Sequence, residues 1–160
     1  MAQRWVDIDV DRARWRTTLN YRVLPALQLG VELNPGVDEV GPLVTWFLFT
    51  ERGARPSLFL GTSSDRIGTP EGNQSYYATA TRMLPLLPLS GYVTLNWSQY
   101  DDQFNVPFGL QAELPGHFSL RGMYDGERSH AMLTRAWDWW SVSGLLVWLE
   151  QLGVSVAVGF

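Results

Sequence analysis

The residues with the clearest capacity for chemistry are charged side chains in segments where apolar and polar residues alternate. Six of them occupy polar positions of such segments: Arg14, Arg16, Arg22, Glu32, Glu113 and Arg121. Side chains on a strand point alternately to opposite faces, so each set shares one face. Guanidinium groups attract anions, and arginine with glutamate also forms ion pairs that can fill an interior. The sequence therefore predicts either a polar, solute-binding face or an internal network of paired charges.

Catalytic groups are sparse in this sequence. His117 and His130 are its two histidines, and Ser129 precedes His130 on a strand, so their side chains point to opposite faces and cannot pair. Four acids at predicted turns are candidates for cation binding, although solvated acids are the commoner use: Asp101, Asp102, Asp125 and Glu127. No phosphate-binding glycine motif or metal-ligand spacing occurs. We expect no enzyme activity, no cofactor and no metal.

Composition narrows the class of protein. The 160 residues are most simply one domain, 1–160, and cysteine is absent. The net charge is −4, and no dense basic tract predicts nucleic-acid binding. No run approaches the ~18 apolar residues of a membrane helix, since two prolines interrupt 83–89. The first five residues lack the apolar segment of a signal peptide, so we expect the leader of an exported chain to be removed or not included.

Alternation with a period of two runs through almost the whole sequence and predicts strands rather than helices. The predicted strands from residue 12 onward are 13–23, 27–34, 42–50, 56–63, 74–83, 89–99, 103–114, 117–124, 129–137, 139–149 and 152–160. Turn signals such as Asn34-Pro-Gly36 and Pro115-Gly116 separate them. Bacterial barrels usually have an even number of strands. The alternation of Val6 and Ile8 with Asp7 and Asp9 therefore predicts a twelfth strand at about 3–9.

The closing segment 152–160 is the most specific motif. One face is apolar, with Leu152, Val154, Val156, Val158 and Phe160. The other face is small, with Gly153, Ser155, Ala157 and Gly159, and leaves room for arginines of a neighbouring N-terminal strand. This segment resembles the closing strand of Gram-negative outer-membrane β-barrels, which ends in a C-terminal aromatic. The resemblance implies insertion by the outer-membrane machinery and a surrounding of lipid and lipopolysaccharide.

The apolar face is too populous to fill one small barrel, whose interior holds on the order of a dozen side chains. It must therefore face lipid or be shared between two sheets. Counting hairpins back from Phe160 puts 64–73, 101–102 and 125–128 outside, and 51–55, 84–88 and 115–116 inside. The same count predicts two aromatic belts. The outer belt comprises Trp15, Trp97, Phe104, Tyr124 and Trp148, and the inner belt Phe118, Trp137, Trp140 and Phe160.

These features together predict an all-β fold, an up-and-down antiparallel transmembrane β-barrel of about 12 short strands joined by tight hairpins. The function expected of such a chain is that of a small outer-membrane protein, a narrow pore for passive transport with a polar, arginine-lined interior. Anionic or saccharide-like solutes would suit that interior. Three alternatives remain: a non-catalytic structural or assembly component of the outer membrane, a soluble β-sandwich that binds a ligand, and an outer-membrane enzyme acting on lipid or peptide. The enzyme is disfavoured because no catalytic set converges in the sequence.

Overall fold

The structure, a computed structural model, describes residues 1–7, 14–35, 39–67, 69–70, 72–84 and 88–159. These residues form thirteen strands and no helix: β1 (Ala2–Val6), β2 (Trp15–Leu24), β3 (Leu27–Asn34), β4 (Glu39–Phe49), β5 (Ser57–Ser64), β6 (Gln74–Leu84), β7 (Leu89–Ser98), β8 (Gln103–Asn105), β9 (Phe108–Leu114), β10 (Phe118–Tyr124), β11 (Ser129–Ala136), β12 (Trp140–Val147) and β13 (Gln151–Val158). In this described part, no helix has the length and apolarity needed to cross a membrane.

The strands form one antiparallel sheet that closes on itself. Neighbours in sequence pair except for β8 and β9, and β1 pairs with both β2 and β13, which joins the two ends of the sheet. The pairing of β6 with β7 completes the ring. β8 and β9 pair with successive parts of β7, so together they occupy one position of a twelve-strand barrel. The predicted up-and-down barrel is confirmed, and the two-sheet sandwich is wrong, because the sheet has no second layer.

Three details differ from the sequence prediction. The segment 103–114 is divided into two strands around Val106-Pro107, because proline has no amide hydrogen to donate to a ladder. The strand predicted at 139–149 ends at Val147, because Trp148 and Leu149 have φ of 56° and 60° and form the next turn. The N-terminal strand covers 2–6 rather than 3–9, and Ile8 and Asp9 lie outside the described residues.

The connections fall into two groups at opposite ends of the barrel. The long-loop end carries the connections around 65–73, 99–102, 125–128 and 148–150. The short-turn end carries those around 25–26, 50–56, 115–117 and 137–139, and both Met1 and Gly159. The hairpin count from sequence grouped these connections in the same way.

Burial in this barrel is reversed relative to a soluble domain. Among the described residues, twelve polar or charged residues are buried, but the buried hydrophobic residues are two, Val6 and Val147. Leucines of the apolar face, such as Leu95, Leu110 and Leu152, expose more than half of their surface on the outside. The alternating polar face therefore lines the interior, which we call the lumen.

Candidate functional site: a polar lumen

The lumen contains a cavity of about 790 Å³. Its walls come from the inward positions of most strands, so alternation alone decides which side chains reach it. Hydroxyl and amide side chains form part of the lining, together with four arginines and three aromatic rings: Arg4, Arg16, Arg66, Arg121, Phe59, Tyr77 and Tyr92. A second cavity of about 510 Å³ lies at the short-turn end, beside Asn20 and Ala157. The interior is thus partly open, not packed solid.

The side chains of Arg16 and Glu32 form the central ion pair of the lumen. Glu32 is 1% exposed, and its carboxylate also accepts hydrogen bonds from Ser64 Oγ at 2.9 Å and Asn34 Nδ2 at 3.3 Å. Arg16 Nε is buried and has no hydrogen-bond partner among the described residues. Arg4 stands directly opposite Arg16 in the register of β1 and β2, and both side chains line the cavity. Both carboxylate oxygens of Glu32 therefore have partners, while Nε of Arg16 remains a donor without an acceptor in the described part of the chain.

A second polar group lies on β9 and β10. Arg121 donates from Nε to Gln111 Oε1 at 2.9 Å and also from Nη2 to the same oxygen. Gln111 Nε2 in turn donates to Glu113 Oε1 at 2.6 Å. No carboxylate of the described residues lies within 4.0 Å of the Arg121 guanidinium. Arg121 therefore adds a positive charge to the cavity wall that no ion pair neutralises.

Two lumen tyrosines lie flat against the wall because glycines stand beside them. A Cβ atom on Gly61 would come within 2.5 Å of the Tyr77 ring, and one on Gly109 would come within 2.7 Å of the Tyr92 ring. The glycines thus provide the space into which the rings fold. Tyr77 also meets Phe59 edge to face at 6.3 Å. This side of the cavity is therefore an aromatic surface.

The connection between β5 and β6 closes part of the long-loop end. Arg66 donates from Nη2 to Asp101 Oδ2 at 2.8 Å and from Nε to Glu127 Oε2 at 3.0 Å, which links three connections across the mouth. Ile67 packs against Val6 and Val147 inside the rim. Hydrogen bonding to Arg66 lowers the pKa of Asp101 below its ordinary value. Burial opposes the charge on Arg66, but the two carboxylates outweigh it and raise the pKa of Arg66.

His130 and Asp125 form a second contact at this mouth. His130 Nε2 lies 2.7 Å from Asp125 Oδ2, and the amide of Trp148 donates to His130 Nδ1 at 3.3 Å. Burial favours the neutral acid of Asp125, but hydrogen bonds from His130 and the amides of Arg128 and Glu127 outweigh it and lower the pKa of Asp125. Because Nδ1 accepts a hydrogen bond, Nε2 carries the proton. Both ring nitrogens of His130 are therefore engaged in holding the mouth.

The four turn acids considered from sequence do not converge as metal ligands. Asp101 and Glu127 are bound to Arg66, and Asp125 to His130, while Asp102 accepts a hydrogen bond from Trp97 Nε1 at 3.2 Å. Across the described ranges, no group of three or more histidine or acidic side chains has the arrangement of a metal site.

Two of the six predicted lumen residues, Arg16 and Arg121, line the main cavity, and Glu32 is buried beside it as the partner of Arg16. The structure places the other three at the ends of the barrel. Arg14 is exposed at the long-loop end, 3.7 Å from Asp7. Arg22 is exposed at the short-turn end, with its guanidinium 4.9 Å from the centre of the Phe47 ring, and Glu113 is exposed at the same end.

Sequence reasoning missed Arg4, which shares the inward face of β1 with Val6. The alternation at 3–9 predicted a strand without fixing its faces; in the structure Val6 pairs with Gly153 and is buried inside. The tyrosine surface was partly foreseeable, since Tyr92 alternates with apolar residues in 89–99.

Aromatic side chains gather near both ends of the strands. At the long-loop end, Tyr76 and Trp97 have ring centres 5.6 Å apart, and Trp15 and Phe104 are exposed. Tyr124 lies 5.5 Å from Phe108. Trp148 differs from the other residues of the predicted outer belt, because it packs against the buried pair Val6 and Val147.

At the short-turn end, the Trp137 and Trp140 rings stack at 4.1 Å with an angle of 5° between their planes. Phe118 lies close to the same end of the barrel, at the start of β10. Phe160 lies outside the described residues.

Comparisons of the chain with protein-family models, with curated proteins and with solved structures gave no match.

Proposed function

We propose that this protein is a small outer-membrane β-barrel of a Gram-negative bacterium that acts as a narrow pore for passive transport. The observation that carries the proposal is the reversed burial: the lumen is polar and the outer face of the barrel is apolar. Soluble monomers rarely expose contiguous apolar patches larger than a few hundred Å². Most strands are eight to eleven residues long, close to the roughly 9–11 residues that a tilted strand needs to cross the hydrocarbon. The lipid bilayer and lipopolysaccharide are the partners of this outer face, and the closing strand is the segment that the insertion machinery would read.

The lining of the cavity favours anionic solutes. Arg16 keeps a free Nε, and Arg121 has no carboxylate partner among the described residues. Fixed positive charges inside a low-dielectric wall attract anions and set selectivity. The tyrosine and hydroxyl surfaces on the remaining walls suit a solute that also carries hydroxyl groups or a flat apolar face, such as an acidic sugar.

Conductance of the purified protein in planar bilayers tests the proposal. We expect discrete channel steps and a reversal potential in a salt gradient that reports a preference for anions. Arg16→Gln should reduce that preference, because it removes a charge from the cavity wall. Arg14→Gln is the matched control, since Arg14 is exposed at the rim beside Asp7 and should leave selectivity nearly unchanged.

Two results would overturn the proposal that the protein is a pore. One is a protein that inserts in bilayers but never conducts; the other is a chain that stays folded and monodisperse without detergent or lipid.

A non-catalytic structural or assembly role is the second candidate. It is favoured by the closed long-loop end, where Arg66 links three connections and Ile67 packs inside the rim. Insulating behaviour of both the wild type and Arg66→Gln in bilayers would select this role over the pore.

A further inference from the structure

Two arginines interrupt the apolar outer face. Of the strand residues whose side chains the structure describes, Arg82 and Arg135 are the charged ones that point outward. Arg82 pairs with Gly91, which pairs on its other side with the outward Leu110. Arg135 pairs with the outward Phe118 and follows the exposed Leu133 by two positions. Both lie near the short-turn end, where a charge on the outer face costs least.

Arg135 contacts two aromatic rings, and no polar group of the described residues binds its guanidinium. Its guanidinium carbon lies 5.3 Å from the centre of the Phe118 ring and 4.8 Å from that of Trp137. Trp137 is itself fixed by stacking on Trp140. The guanidinium makes no hydrogen bond and no ion pair with any residue in the described ranges. The rings stabilise the cation through its face, while its N–H groups remain available.

A planar guanidinium with free N–H groups matches the oxygens of a phosphate, which it binds in a bidentate manner. The site lies on the outer face, at the edge of the apolar surface, beside a tryptophan pair of the kind that marks the membrane–water boundary. Phospholipid phosphates lie at that depth. We propose that Arg135, positioned by Phe118 and Trp137, binds the phosphate of a phospholipid headgroup. Anionic lipid is preferred, because choline would bring a second cation to an uncompensated guanidinium.

This inference rests on the proposed membrane location and adds a specific lipid site to it. Arg82 provides a matched comparison within the same molecule. It lies on the same face and near the same end, but no aromatic ring of the described residues forms a cation–π contact with it. A general attraction between the barrel and anionic lipid would depend equally on both arginines. A specific binding site formed with aromatic rings would depend on Arg135 alone.

Native mass spectrometry of the barrel released from mixed micelles tests the site. The micelles contain equal amounts of phosphatidylglycerol and phosphatidylcholine, and the readout is the fraction of protein that retains phosphatidylglycerol. We expect Arg135→Gln to lower that fraction about fivefold, the effect of one basic residue at an anionic surface. Arg82→Gln should change it less than about twofold, because a surface charge that is not held in one geometry contributes little. Unchanged retention in Arg135→Gln, or equal losses in both variants, would overturn the inference.

Two further measurements separate the possible failures. Insertion into vesicles and heat-modifiable migration are recorded for each variant, so that loss of the membrane barrel itself is distinguished from loss of the lipid site. Inorganic phosphate is then compared with chloride at matched ionic strength. If inorganic phosphate displaces phosphatidylglycerol as fully as Arg135→Gln does, the site binds phosphate from any source, and the assignment to a lipid is overturned.

Discussion

The carboxylates of the lumen are already bound by neighbouring side chains. Glu32 is held by Arg16, Ser64 and Asn34, and Asp65 accepts a hydrogen bond from Ser98. Both carboxylates therefore have hydrogen-bond partners within the protein. Arg121 has no carboxylate partner among the described residues, and the proposed preference for anions rests on this arginine.

Replacing Glu32 by glutamine should both destabilise the barrel and raise its preference for anions. Breaking a buried ion pair leaves one charge uncompensated, at a cost of about 3–5 kcal/mol. Because the Arg16 side chain is 21% exposed, we expect a smaller loss, about 2 kcal/mol in the free energy of unfolding. Urea unfolding in vesicles, followed by tryptophan fluorescence, measures the loss, and a salt gradient measures the selectivity.

Glu113→Gln is the control for this substitution, since Glu113 is exposed and should shift the free energy of unfolding by no more than about 0.5 kcal/mol. Equal stabilities of the two variants would contradict a structural role for the Arg16–Glu32 pair.

Side-chain direction could be predicted from sequence in the middle of strands and less well at their ends. Arg16, Glu32 and Arg121 lie within regular ladders, where the period of two fixes the face. Arg14 precedes β2 and Arg22 lies beside an irregularity in the pairing of β2 with β3, so local turn geometry decides where they point. Position along a strand, more than residue type, limited the prediction of the site.

At the scale of elements, neighbouring strands are fitted to each other through glycines on the inner face. The Tyr92 ring of β7 lies over Gly109 of β9, and the Tyr77 ring of β6 lies over Gly61 of β5. Glycines on the outer face behave differently: a Cβ on Gly122 or Gly144 would meet nothing within 4 Å. The inner glycines therefore let the tyrosine rings lie against the wall of the lumen, whereas Gly122 and Gly144 have no such role.

Gly109→Ala should destabilise the barrel and narrow its lumen. The added methyl group would lie 2.7 Å from the carbonyl oxygen of Gly122 and equally close to the Tyr92 ring, so the strand must shift or the ring must swing into the lumen. Overpacking of this kind costs about 1–3 kcal/mol. Unfolding in urea and single-channel conductance report the two effects.

Gly122→Ala, on the adjacent strand but facing outward, should change both quantities little. If Gly109→Ala were as well tolerated as Gly122→Ala, the close fit of ring and glycine would be refuted.

The closed mouth is an element-scale feature that alternation could not predict. It depends on contacts between connections far apart in sequence, since Arg66 meets Asp101 and Glu127, 35 and 61 residues away. Turn signals indicate where a chain reverses, but they carry no information on which turns meet. The sequence correctly grouped these connections at one end and left their mutual contacts undetermined.

The Arg66 contacts should give the proposed pore a specific response to acid. The pKa of Asp101 is lowered by Arg66, so the contribution of this pair to closure is fully present above the ordinary carboxyl value of 3.8 and is lost as the pH falls through the lowered value. We expect conductance to stay constant from neutral pH down to about 4 and to rise below it. Asp101→Asn should be more open at neutral pH. One such pair is worth up to about 1 kcal/mol, or roughly fivefold in the ratio of open to closed mouths.

Single-channel recording across this pH range measures the response, with Asp102→Asn as the control because Asp102 contacts Trp97 instead. A rise in conductance beginning near neutral pH would contradict the assignment to Asp101.

At the scale of the whole molecule, closure of the barrel depends on β1, the shortest of the three strands β1, β2 and β13 that meet at the seam. β1 has five residues, yet it pairs with β2 on one side and β13 on the other. Its inward Arg4 lies opposite Ser155 and its inward Val6 opposite Gly153, so the small face of the closing strand accommodates the larger side chains of β1. The space predicted beside the closing strand is thus filled by the side chains of Arg4 and Val6.

Deletion of residues 1–6 should prevent closure, and the reason is the direction of the strands. β1 runs antiparallel to both β2 and β13, so β2 and β13 run parallel to each other. Once β1 is removed, the two flanking strands cannot form the antiparallel ladder used everywhere else in this sheet, and their edges stay unpaired. Unpaired backbone groups cannot be tolerated in hydrocarbon. The truncated chain should therefore lose heat-modifiable migration and conductance, and a peptide of residues 1–7 added during refolding should restore both, whereas a scrambled peptide should not. A truncated chain that still migrates and conducts like the intact protein would show that eleven strands can close without the N-terminal one.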